Sequence, residues 1–155
     1  MTGTARQVLI VANRTAATEK LLEAVRERAQ DGRVTFHLLV PATPRGLHRV
    51  VDPEVAGRDE ATAQLERELE RLREAVGTDV TGEVGDADPM AAISDTLHER
   101  EVDEIIISTL PRRLSRWMHL DLPSKVRGLG KPVMHVEGVR APVPAEEAVA
   151  GARVA

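Results

Sequence analysis

The chain contains no cysteine and no tyrosine, and only one tryptophan and one phenylalanine among 155 residues. The lack of cysteine excludes a disulfide scaffold, a thiolate metal site and a cysteine nucleophile. Two aromatic residues argue against a platform that stacks the bases of single-stranded nucleic acid. The longest apolar runs, Val8–Ala12 and Ile105–Ile107, are too short to span a bilayer, and the N-terminal residues lack the pattern of a secretory signal. We therefore expect a cytoplasmic protein.

An excess of basic residues is also missing, since Lys and Arg total 21, Asp and Glu total 25, and the formal net charge is −4. This balance argues against a nucleic-acid or membrane-surface binder. Two segments nevertheless lack acidic residues: 109–120 carries +3 and 41–51 carries +2, so the rest of the chain sums to −9. The arginines concerned are Arg112, Arg113 and Arg116 in the first segment and Arg45 and Arg49 in the second, where His48 lies between them.

Short apolar runs alternate with amphipathic segments, which is typical of a parallel sheet connected by helices. Four helices are predicted. The first is capped by Thr15 and ends at Asp31-Gly32, and the second covers residues 59–76. The third begins after Asp88-Pro89, and the fourth covers residues 122–127 with Asp121 as its cap. A long connection, 41–58, separates the second strand from the second helix. The five predicted strands are Gln7–Ala12, Val34–Val40, Thr78–Val84 (a weak edge strand interrupted by Gly82), Val102–Ser108 and Pro132–Val136.

This pattern predicts one α/β domain over residues 1–138, followed by an Ala/Pro-rich tail over 139–155. Right-handed crossovers, with the two most apolar strands as neighbours, predict a three-layer, doubly wound parallel sheet in the order 3-2-1-4-5. Ligands of such sheets bind beyond the carboxyl ends of the strands, where the crossovers reverse direction. The residues expected at this crevice are Asn13, Arg14, Val40, Thr109, Arg112, Arg113 and Arg116.

Arginine-rich loops at such a crevice predict an anionic small ligand, because guanidinium groups bind phosphate and carboxylate through paired N–H donors. A ligand-free module whose basic loops bind an acidic protein or a second copy of the chain is an alternative. Arginines that are merely solvated would account for the composition equally well.

Several segments resemble the universal stress protein family, in the family's order and over roughly residues 7–137: Val8–Asn13, Phe36–Val40, Asp103–Thr109, Leu114-Ser115-Arg116, Ser124-Lys125-Val126 and Lys131–Val136. The resemblance implies a role in the stress response and a homodimer, often formed through the last strands. In one branch it also implies ATP at the crevice. The ligand that the resemblance implies is thus ATP or another nucleotide. The positions of this chain that match ligand-binding positions of the family are Asn13, Val40, Thr109, Arg116 and Asp121.

The sequence departs from the ATP-binding branch, which carries an Asp after the first strand and a glycine-rich phosphate loop after the fourth. Asn13 replaces the Asp, and Pro111, which has no N–H, replaces the first glycine. Asp121 puts a carboxylate where the family has a phosphate-binding Gly-Ser pair. We therefore expect the family's usual ATP mode to be lost.

No motif for a nucleotide-dependent enzyme or a serine hydrolase is present, so we expect no catalytic residue. His119 beside Asp121 leaves a hydrolase or transferase acting on a nucleotide or phosphoester as a third alternative. The five histidines show no metal-ligand spacing, so no metal site is predicted. Trp117 is expected to anchor a loop by burying its ring, in preference to stacking on a ligand.

Overall fold

In the computed structural model, residues 4–12, 18–42, 53–111 and 116–138 are described, and for residues 53–61 and 116 the description is of the backbone. Strands and helices alternate along this part of the chain. They are β1 (Arg6–Ala12), α1 (Glu19–Gln30), β2 (Val34–Pro41), α2 (Pro53–Val76), β3 (Val80–Gly85), α3 (Pro89–Glu99), β4 (Glu104–Thr109), α4 (Arg116–His119), α5 (Leu122–Arg127) and β5 (Val133–Glu137).

The five strands form one sheet in the order β3-β2-β1-β4-β5, and every neighbouring pair is parallel. β1 is the central strand: Val8 pairs with Phe36 of β2 on one side and with Glu104 of β4 on the other. The predicted order is confirmed. β2 and β3 lie on one side of β1, whereas β4 and β5 lie on the other side. The crossovers therefore reverse direction between β1 and β4.

Helices cover both faces of the sheet, so each central strand is apolar on both sides. Val8 and Ile10 pack with α1 and α2 in one core, whereas Leu9 and Val11 pack with α3 and α5 in a second core. This three-layer arrangement explains why the β1 and β4 sequences lack the alternation of a half-exposed strand. No helix in the described ranges is both long enough and apolar enough to cross a membrane.

Helix caps agree with the sequence in one case and differ in two. Asp88 caps α3, because its side chain accepts a hydrogen bond from the Met90 N–H and Pro89 follows it at the first helical position. Thr15 was the wrong residue for the α1 cap: Thr18 is the N-cap, and its Oγ1 accepts from the Leu21 N–H at 3.3 Å. Asp121 makes no side-chain cap hydrogen bond. Its left-handed backbone (φ 53°) turns the chain at the start of α5, and this departs from the extended backbone usual at a cap.

Several boundaries also differ from the sequence prediction. α2 begins at Pro53, since a proline is favoured at a first helical position, and the predicted connection is therefore shorter at its C-terminal end. A short additional helix, α4, lies within the segment between β4 and α5. β4 begins at Glu104 and continues through Thr109. Asp103, which precedes the strand, accepts a hydrogen bond from the Gln7 N–H through its carboxylate at 2.8 Å.

β3 continues through Gly82, so this glycine does not interrupt the strand. The absence of a side chain there admits α2: a Cβ on Gly82 would lie 2.7 Å from Leu65 Cδ1 and 2.9 Å from Leu69 Cδ2. Gly85 has the same role on the other face, where a Cβ would lie 2.8 Å from the Cβ of Ala92 in α3. The glycines of β3 thus allow helices to approach closely on both sides of an edge strand.

A buried carboxylate lies at the amino end of the sheet. Glu104 is 2% exposed, and its Oε1 accepts from Arg28 Nε at 2.8 Å. Its Oε2 lies 3.1 Å from Arg6 Nη2, an ion-pair distance. Because Arg6, Arg28 and Glu104 belong to β1, α1 and β4, this group links the centre of the sheet to the helix that covers it.

A second polar group lies beneath α3. His37 of β2 is 7% exposed, its Nδ1 lies 2.8 Å from Thr81 Oγ1, and its Nε2 lies 3.5 Å from Glu83 Oε1. Thr96 of α3 donates to the same Glu83 oxygen at 3.0 Å. Burial lowers the pKa of His37 below 6.5, and the positive charge of Arg100 lowers it further, against the opposing effect of Glu83.

Candidate functional site

The carboxyl ends of the strands form the edge at which this topology binds ligands. β1 ends at Ala12, which pairs with Ser108 of β4, and Thr109 ends β4. Ser108 and Thr109 are 1% and 2% exposed. The point where the crossovers diverge is therefore bordered by two buried hydroxyl residues, which follow the apolar run of β4.

Thr109 is held by β5 through both its main chain and its side chain. The Gly138 N–H donates to the Thr109 carbonyl oxygen at 2.7 Å. The Thr109 hydroxyl lies 2.7 Å from Nε2 of His135, within hydrogen-bond distance. His135 is only partly buried, so this contact connects a buried hydroxyl at the end of β4 to a ring that solvent reaches.

The α1 N-terminus closes one side of the same edge. Thr18 is buried, and a Cβ on Gly138 would lie 2.8 Å from Thr18 Cγ2 and 2.9 Å from its Oγ1. A side chain at position 138 would therefore displace the start of α1. The glycine allows the helix N-terminus to lie directly against the end of β5.

For three of the site residues predicted from the sequence, the structure describes both the backbone and the side chain. Thr109 lies at the end of β4, as expected. Val40 lies near the end of β2, but its side chain is completely buried in the first core, so only its main chain is available to a ligand. Asp121 is exposed in the turn between α4 and α5.

The other predicted contacts are on the two loops that follow β1 and β4. Arg116 is the first residue of α4, and its side chain is not described. Outside the described residues lie Asn13, Arg14, Arg112 and Arg113, the basic segment that contains Arg45, His48 and Arg49, and the predicted tail 139–155.

His135 is a residue beside the candidate site that was not predicted from the sequence. From the sequence it was considered only as a metal ligand, although a polar residue inside the apolar run Val133–Val136 was an available signal. Burial lowers the pKa of His135 below 6.5, the nearby Glu137 opposes this shift, and Arg127 of α5 adds to it. The ring is therefore predominantly neutral at pH 7.

Trp117 is 8% exposed and packs in the second core with Leu122 and Val126 of α5. The anchoring interpretation is confirmed, since the ring attaches the segment after β4 to the body of the domain. As for metals, no group of three or more His, Asp or Glu side chains that could hold an ion occurs within the described ranges.

Solved structures with the same arrangement identify the fold. A universal stress protein in complex with cAMP has a TM-score of 0.58 and 17% sequence identity, covering 87% of this chain and 99% of its own. A universal stress protein family member from Burkholderia pseudomallei has a TM-score of 0.59 and 15% identity, covering 88% and 99%. The chain has the universal stress protein fold.

A further universal stress protein, from Archaeoglobus fulgidus in complex with dAMP, has a TM-score of 0.50 and 17% identity, covering 86% of this chain and 98% of its own. No family model matches the chain, and no curated protein matches its sequence. The likeness to universal stress proteins is therefore one of fold, at a sequence identity of 15–17% to the structures named here.

Proposed function

We propose that this chain is a non-catalytic, stress-associated regulatory module that binds an anionic small molecule, in the first instance an adenine nucleotide, in the cytoplasm. The observation that carries the proposal is the reversal of the crossovers between β1 and β4, because ligands of this topology bind beyond the carboxyl ends of the strands at that point. Two structures of this fold are complexes with cAMP and dAMP, which supports a nucleotide as the ligand class.

The residues assigned to the ligand come from the loops at this edge. Arg14, Arg112, Arg113 and Arg116 would neutralise the anion, because guanidinium groups form strong charge-assisted hydrogen bonds with phosphate. Asn13, Thr109 and the main chain of Val40 would orient the rest of the ligand.

ATP is proposed to bind more weakly than a nucleoside monophosphate, or not at all. Pro111 has no N–H to offer to a phosphate, and the carboxylate of Asp121 would repel one at the start of α5. Arginine side chains would thus have replaced the glycine-rich backbone cradle.

Calorimetric titration of the full chain with cAMP, dAMP and ATP tests the proposal. We expect cAMP or dAMP to bind, and the double substitution Arg112→Glu/Arg113→Glu to weaken binding more than a hundredfold, since each charge-assisted contact contributes about 1.5–3 kcal/mol. The matched control is Arg26→Glu/Arg33→Glu, which changes the net charge equally at exposed positions on α1 and the turn after it.

Equal affinities for the wild type and the Arg112/Arg113 variant would contradict the assignment of these arginines. Incubation of the protein with each nucleotide, followed by chromatography, tests the non-catalytic part. Turnover that is lost in His119→Ala would instead favour the hydrolase alternative.

We also propose that the chain forms a homodimer through β5. This strand lies at the edge of the sheet, and its outer residues Val133, Met134 and His135 are only partly buried. A free parallel edge presents main-chain N–H and C=O groups to which a second copy can add.

A further inference from the structure

We propose that protonation of His135 strengthens anion binding at the carboxyl edge of the sheet and makes it depend on pH. The inference rests on the proposed function and adds to it a titratable group. The geometry that supports it is the 2.7 Å contact between His135 Nε2 and the hydroxyl of Thr109, the residue that ends β4 at the crevice.

The orientation of the ring is fixed from the buried side. Thr109 is 2% exposed, and its carbonyl oxygen also accepts the Gly138 N–H, so its hydroxyl is attached to a rigid part of the sheet. A buried hydroxyl can accept a hydrogen bond from Nε2 or donate one to it, so it accommodates the neutral and the protonated ring alike. Protonation of His135 therefore breaks no contact at this position.

Among the residues that the structure describes, two charged groups influence the ring. β4 presents the neutral Thr109 hydroxyl, β5 itself contributes Glu137, and α5 contributes Arg127. α1 packs on the opposite face of β5, where Met134 and Val136 lie in the first core. A proton on His135 thus adds a positive charge one strand away from the point where the crossovers diverge.

An anion bound at this edge stabilises the protonated ring, and by reciprocity the protonated ring binds the anion more tightly. Binding therefore takes up a proton, and affinity falls as pH rises through the pKa of His135. The arginines at the site have a constant charge over this range, so the pH dependence is assigned to the histidine.

cAMP is the appropriate probe. Its phosphodiester carries one charge throughout the experiment, whereas a phosphomonoester gains a second charge near pH 6 and would obscure the result. We expect the Kd for cAMP of the full-length protein to rise about tenfold between pH 5 and pH 8. In His135→Gln, which keeps a polar neutral group beside Thr109, the change should be less than twofold.

Two further variants make the test specific. His98→Gln removes an exposed histidine at the far end of α3 and should keep the wild-type pH dependence. Arg127→Gln removes a charge that disfavours protonation of His135, so the midpoint of the pH dependence should move to higher pH. Circular dichroism and sedimentation of each variant verify that fold and oligomeric state are unchanged.

The outcomes separate this inference from the function on which it rests. If cAMP binds and His135→Gln shows the wild-type pH dependence, the inference is wrong and the binding function stands. If neither cAMP nor dAMP binds at any pH, the proposed function and the inference fail together. If the Kd for cAMP is independent of pH in His135→Gln alone, the result supports both the proposed function and this inference.

Discussion

His37 illustrates how one buried side chain can carry a pH dependence that has nothing to do with a ligand. Its ring is enclosed between β2, β3 and α3, and Thr81 holds one nitrogen while Glu83 lies near the other. Burial favours the neutral ring, so the folded state binds a proton less readily than the unfolded chain does.

The sign of the stability effect follows from this difference. Since the pKa of His37 is lowered on folding, the unfolded chain takes up a proton first as pH falls below about 6.5, and the folded state loses stability on acidification. We expect His37→Gln to reduce the loss of stability between pH 7 and pH 5, measured as the shift in the urea midpoint. His135 contributes in the same direction, so part of the loss should remain.

An unchanged urea response in His37→Gln, with His98→Gln as the control, would contradict this account. A general loss of stability in His37→Gln at both pH values is a separate effect of repacking and leaves the comparison valid. The informative quantity is the difference between the two pH values within each variant.

Local side-chain chemistry was predictable from sequence only where a single rule decides the conformation. Asp88 precedes a proline, and this pair specifies a helix start without further context. Asp121 occupies a similar position before a proline-containing turn, yet its backbone is left-handed and its side chain caps nothing. That conformation depends on how α4 joins α5, which no local pattern specifies.

At the scale of elements, β3 shows most clearly what sequence patterns miss. Its glycines resemble a strand interruption, whereas they are required by two helices that pack closely on opposite faces. The order of the strands was predictable because apolar content and crossover handedness together restrict it. The start of α2 was not predictable, because the row of leucines that indicates this helix begins only at Leu65.

The two glycines of β3 should differ in their tolerance of substitution. At Gly85 a Cβ would lie 2.8 Å from the Cβ of Ala92, a rigid atom, so α3 must shift. At Gly82 the nearest atoms are the mobile ends of Leu65 and Leu69. We expect Gly85→Ala to destabilise the fold by about 1–3 kcal/mol and Gly82→Ala by less, measured by urea unfolding. The reverse ranking would refute the proposed close approach of α3.

The location of the candidate site could be predicted from the sequence, since the reversal point follows from the strand order. The side chains around it could be predicted only in part. Thr109 was predictable because it ends an apolar strand. His135 was not, because its significance depends on which residue of the neighbouring strand it meets, and strand register is a property of the assembled sheet.

At the scale of the whole molecule, β5 is an edge strand of the sheet that the described residues form, and the homodimer proposed above would form there. Equilibrium sedimentation should give twice the chain mass at micromolar concentration, with dissociation on dilution. Met134 of β5 is partly buried against the first core, and the charge introduced by Met134→Lys should shift the equilibrium towards monomer. Circular dichroism verifies that this variant keeps the fold, and Lys20→Met on exposed α1 is the control. A wild-type monomer at all concentrations would exclude the proposed homodimer.

The ion-paired Glu104 has a consequence for synthesis of the protein on the ribosome. Arg6 and Arg28 emerge early, but their common carboxylate, and the β4 strand that carries it, emerge only after most of the chain has been made. Until then β1 lacks one of its two neighbours, and the main-chain groups along that edge of an apolar strand are unpaired. The strand order that reverses the crossovers between β1 and β4 therefore also delays completion of the core until the late half of the chain has been made.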